Sequence, residues 1–131
     1  MHYLTIEQRE SLERALNERV TTLRAGIAAA LRQSDAPQAL HLANRFEESG
    51  DDALADLEQS LEIASVQRDV EDLARVRVAL ARIHTPEFGE CEDCDAIIPF
   101  SRLQAEPTAL RCVACQRARE HRTAGGLHPS L

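Results

Sequence analysis

Apolar residues recur every three or four positions at Leu12, Leu16, Val20, Leu23, Ile27 and Leu31, the spacing of one face of an α-helix. The pattern predicts a helix over 5–33, with Thr5 placed to cap it and Glu7 and Glu10 suited to its first turns. Gly26 lowers the helix's stability by about 1 kcal/mol relative to Ala, yet the stripe passes it without a change of phase. Ser34, Asp35 and Pro37 interrupt the run, because proline lacks an amide donor and disfavours helix at the residue before it. A short helix over 38–47 resumes, and Glu48-Ser49-Gly50-Asp51 then reads as a reversal, with Asp51 or Asp52 placed to cap the next helix. Leu54, Leu57, Leu61 and Ala64, then Val66, Val70, Leu73, Val76, Leu80 and Ile83, form a second stripe with one phase slip near Ala64, until Pro86 ends it. Its helix would be roughly 33 residues and about 50 Å long. Neither stripe can be buried alone, so residues 1–86 are expected to form an antiparallel coiled-coil hairpin with its tip near Gly50, in a mainly α protein.

Composition supports an all-helical body. In 131 residues the aromatics are Tyr3, Phe46, Phe88 and Phe100, so Leu, Ile, Val and Ala must supply most of the burial. No apolar stretch approaches the roughly 18 residues of a membrane span, and no basic segment followed by an apolar run opens the chain. A cytoplasmic protein with no membrane association is expected. The net charge of −7 disfavours autonomous binding to nucleic acid, which depends on Lys and Arg neutralising phosphates. Between Glu47 and Asp72 ten acidic residues face the single Arg68, which concentrates negative charge on the tip, near 48–56. Taken alone, such a run is a solvated face as readily as a site.

All four cysteines come after the hairpin in the order Cys91-Glu-Asp-Cys94, seventeen residues, Cys112-Val-Ala-Cys115. Two C-x2-C turns, brought together by the ribbon between them, make a tetrahedral S4 site for one zinc ion with Zn–S bonds of about 2.3 Å. Four thiolates leave no open position for water or substrate, so the metal is expected to be structural and to substitute for missing core. Disulfides do not suit a cytosolic chain, and a thioredoxin-like C-x2-C would follow a βαβ pattern that is absent. From Cys91 to Arg122 five acidic residues balance five Arg, so no basic face offers itself to DNA. A C4 module and C-terminal helix over 87–122 are expected, followed by a flexible tail over 123–131.

The order of parts, together with Phe88-Gly89-Glu90-Cys91, Arg102-Leu103-Gln-Ala105, Pro107-Thr108 and Cys112-Val-Ala-Cys115, resembles the DksA/TraR family from Tyr3 to about Arg122. The resemblance implies a non-catalytic regulator that inserts its hairpin into the secondary channel of bacterial RNA polymerase and modulates initiation, with no direct sequence-specific DNA binding. A monomer is expected. The family's tip pattern, Asp-x-x-Asp-x-Ala, falls on Glu48, Asp51 and Ala53, with Glu in place of the first Asp and Asp52 beside the second. Many family members bind ppGpp through Arg and Lys, and Arg68 and Arg75 match basic family positions. Glu106 and Gln116 stand where the family usually has basic residues, which implies a weak or absent ppGpp response. The alternatives are a zinc-stabilised helical adaptor for a different protein partner, or a thiol oxidoreductase.

Overall fold

The computed structural model describes residues 3–49 and 64–126. Helix α1 (Ile6–Gln33) begins at a capping box: the Thr5 hydroxyl accepts from the Gln8 amide, and the Gln8 side chain accepts from the Thr5 amide. That arrangement satisfies two donors at the helix start. All six residues of the first stripe are buried.

Helix α2 (Ala39–Ser49) buries Ala39, Leu42, Ala43 and Phe46. Its direction could not be read from periodicity. The Arg24 guanidinium lies over the Phe46 ring, 5.0 Å from its centroid, whereas residues 22 apart in a continuous helix would lie about 33 Å apart. The chain therefore turns at 34–38 and α2 packs back on α1 rather than extending it. Ser34 Oγ accepts from the Ala36 amide within that turn, and Arg32 and Glu47 form an ion pair of 2.5 Å between the two helices. Glu48 and Ser49, expected in a reversal, belong to the last turn of α2.

Helix α3 (Ala64–Arg82) runs antiparallel to α1, as the pairs Arg19–Asp72 and Arg9–Ile83 show. The expected start of this helix near Asp51, and Leu54, Leu57 and Leu61, lie outside the described residues. Val66, Val70, Leu73, Val76 and Ile83 are buried as the stripe predicts, but Ala79 takes the buried position near its end and Leu80 is only partly buried. A helix at 3.6 residues per turn drifts across a 3.5-residue seam, and here the drift moves the seam onto the small residue.

A short α4 (Phe100–Ala105) and α5 (Val113–Gly126) complete the described fold. The segment between the cysteine pairs, expected as a ribbon, has one isolated antiparallel bridge, Glu90 to Ile97, and is otherwise turns and α4. Helix α5 continues past Arg122 and takes in residues 123–126, which were expected in the tail. Gln116 donates to Glu120 and Thr123 to the Arg119 carbonyl along it.

Candidate metal centre and its seam with the hairpin

Tight turns set the geometry of the first cysteine pair. The Asp95 amide donates to the Cys91 carbonyl and the Cys91 amide to the Ala96 carbonyl, and the chain closes this turn with Asp95 at φ 62°, a left-handed conformation that Asp tolerates better than most residues. Upstream, Gly89 has φ 93°, and a Cβ there would lie 3.0 Å from the Tyr3 ring, so only glycine suits the position. Cys112 and Cys115 come from the start of α5, where the Cys115 amide approaches the Cys112 Sγ at 3.5 Å.

The four Sγ atoms lie within 4.8 Å of one another, with Cys94 and Cys112 3.9 Å apart. A tetrahedron with Zn–S bonds of about 2.3 Å has edges of about 3.8 Å, so the cluster fits zinc. Burial opposes ionisation of Cys91, but backbone N–H groups at Cys112, Cys94 and Asp93 outweigh it and bring the thiol down to about 6. Cys115 moves the opposite way, pushed up by the neighbouring thiols of Cys112, Cys94 and Cys91. Four sulfurs so close cannot all ionise without a cation among them, which is the condition a structural zinc relieves. The site is a structural C4 zinc centre.

Two ion-pair groups brace the module, one within it and one at its seam with the hairpin. Arg111, next to Cys112, donates to Asp93 and Glu92 at 3.0 Å each. At the seam with the hairpin, Arg19 of α1 holds Asp72 of α3 through two bonds and Glu106 through a third of 2.6 Å. Thr108, buried, donates its hydroxyl to the same Glu106 oxygen at 2.7 Å. Burial raises the pKa of Glu106, but the hydrogen bonds from Arg19 and Thr108 outweigh it and the net shift is downward. Sequence reasoning missed Arg19, because its partners lie 53 and 87 residues away.

The remaining expected site residues are scattered. Glu48 is exposed on α2, alongside the last turns of α1, and Asp51, Asp52 and Ala53 lie outside the described residues. Arg75 borders an open cleft of about 350 Å³ together with Arg102, Glu106, Arg111 and Gln116; Arg68 is exposed on α3 and does not line it.

A helical hairpin rooted on a C4 zinc module is the class of protein these features define. Residues 86–121 match the family described as "Prokaryotic dksA/traR C4-type zinc finger". The chain is 32% identical over 80 residues to the RNA polymerase-binding transcription factor DksA of Escherichia coli (strain K12), covering 61% of this chain and 53% of that protein. It is also 32% identical over 77 residues to the protein of the same name from Haemophilus influenzae, covering 59% and 53%. The chain thus spans about half the length of these relatives. Among solved structures, transcription factor DksA2 from Pseudomonas aeruginosa matches 93% of this chain and 90% of its own, at 26% identity and a TM-score of 0.60. Residues 86–121 thus resemble the DksA/TraR C4 zinc finger, and the fold over most of the chain is similar to that of DksA2.

Proposed function

We propose that the protein is a non-catalytic transcription regulator that binds bacterial RNA polymerase through its secondary channel and modulates initiation. The observation that carries this reading is the antiparallel α1/α3 pair rooted on a C4 zinc module, an arrangement matched to DksA2 over nearly the whole chain. A four-thiolate centre has no open ligand position, which supports a non-catalytic role. No helix among the described residues is long and apolar enough to cross a membrane; in this reading the protein acts in the cytoplasm, as a monomer, and reads no DNA sequence directly. Residues 1–86 form the inserting hairpin and 87–122 its zinc-bound base. Glu48, Asp51, Asp52 and Ala53 are the polymerase-contacting tip.

The response to ppGpp is weak or absent. The cleft that holds Arg75 also holds Glu106, whose carboxylate is kept ionised by Arg19 and Thr108. A fixed carboxylate beside a phosphate repels it, and salt and solvent reduce that repulsion without reversing its sign. Arg75 remains as a residual contact in the cleft, and Arg68, expected beside it, lies outside the cleft.

The test is in vitro transcription from a ribosomal promoter, joined to competition with a second secondary-channel factor for core polymerase. The protein is expected to compete at micromolar concentration and to change transcript yield about equally with and without ppGpp. Asp51→Asn is expected to bind nearly normally and lose the effect on yield. Absence of binding at micromolar concentration overturns the polymerase reading; strong synergy with ppGpp overturns only the ligand reading.

A further inference from the structure

We propose that Arg111 is a positioning residue for the zinc ion: its guanidinium ties the two halves of the ligand set together and slows release of the metal. The two cysteine pairs belong to separate pieces of chain, one from a turn and one from the start of α5. Arg111 bridges them. It precedes Cys112 directly, and its Nε and one terminal nitrogen donate to Asp93 and Glu92, the two residues between Cys91 and Cys94. Its side chain is 16% exposed, so these charged bonds are only partly screened.

The backbone reinforces the bridge. The Glu92 amide donates to the Leu110 carbonyl at 2.9 Å, and the Arg111 carbonyl accepts from Arg102 Nε at 2.9 Å. Glu92 also lies 3.8 Å from Arg82, the last residue of α3, so the clasp is anchored to the hairpin as well.

A zinc ion leaves a four-thiolate site one ligand at a time. A thiolate that lets go rebinds quickly if its half of the site stays in place, and escapes if that half swings away. Arg111 holds the halves in register through groups that are not themselves ligands. Outer-shell contacts of this kind typically change metal affinity by about 10- to 100-fold, and partial exposure puts the clasp near the lower end.

The experiment uses the full zinc-loaded chain and tracks transfer of the metal to an excess of a chromogenic chelator. Arg111→Ala is expected to release zinc about tenfold faster than wild type, whereas Arg119→Ala, on the exposed face of α5, is expected to leave the rate unchanged. Arg111→Lys should recover part of the difference, because one ammonium cannot span both carboxylates as the fork does. In the cobalt-loaded protein, Arg111→Ala should shift the visible absorption bands while the zinc-loaded form keeps its helix melting curve, a separation that a general loss of packing would not produce. Glu92→Gln with Asp93→Asn removes the same clasp from the other side and carries the test should Arg111→Ala fail to fold. It should match Arg111→Ala, and combining all three changes should add nothing further. An unchanged release rate in these variants, or an Arg111→Ala effect undiminished when both carboxylates are already neutral, overturns the proposal.

Discussion

The shaft buries Leu12, Leu16, Ile27 and Leu31 of α1 together with Val66, Val70, Leu73 and Val76 of α3, whereas the zinc module adds little beyond Phe88, Cys91, Ile98 and Leu103 to the same core. In the shaft, apolar area does the stabilising and ion pairs decorate the rim. In the module the proportions invert: metal ligation and charged bonds hold a segment that has too few apolar side chains to fold by burial. The difference teaches where each region is vulnerable. A lost methylene threatens the shaft, and a lost ligand threatens the module.

The sharpest way to break that comparison is Cys112→Ser. Structural zinc in small modules contributes about 10–16 kcal/mol of apparent binding energy, so losing one thiolate should release the ion and unfold the segment around it while most helical signal survives. Zinc stoichiometry and far-UV circular dichroism on one sample check both halves. A variant that keeps a full equivalent of metal and an unchanged melting curve would falsify the S4 assignment.

Leu73→Ala attacks the other region. Its fully buried side chain lies within the α1/α3 core, and the change should cost about 3 kcal/mol, read as a lower midpoint in urea with zinc still bound. Equal loss of metal and helix would mean that the two regions unfold as one unit.

The smallest effect belongs to the seam. Arg19→Ala removes a bidentate contact with Asp72 and the bond to Glu106, all partly exposed, and should cost on the order of 1 kcal/mol. Because the pKa of Glu106 is lowered from its ordinary 4.5, the stability it contributes is present at neutral pH and is lost as pH falls through the lowered folded value. Wild type should therefore lose more stability than Glu106→Gln on acidification below the ordinary carboxylate value. Parallel pH profiles for the two proteins would remove Glu106 from the seam.

Legibility in the sequence divides along the same line of local against distant causes. The stripe of α1 and the cysteine spacing are set by neighbours a few residues away, so both could be read from the chain, and Pro37 correctly marked a break. Periodicity carries no information on direction, which is why α2 could be placed but its return along α1 could not. Ala79 displaced Leu80 from the seam by gradual drift that only a partner helix fixes. The ion pair that fixes Glu106 was not legible, because its partner, Arg19, lies 87 positions earlier. The positive φ at Gly89 answers to a ring at Tyr3, again a distant cause.

That last contact bears on the order of assembly. Tyr3 donates its hydroxyl to the Ile98 carbonyl, a partner 95 residues further along. During synthesis Tyr3 leaves the ribosome long before Ile98 exists, and the turns of α1 can wind on local contacts in the interval. Closing so long a loop carries a larger entropic penalty than closing the short turn between α1 and α2. The tyrosine is therefore a late fastener: it has nothing to dock on until the metal-binding loop has emerged to receive it.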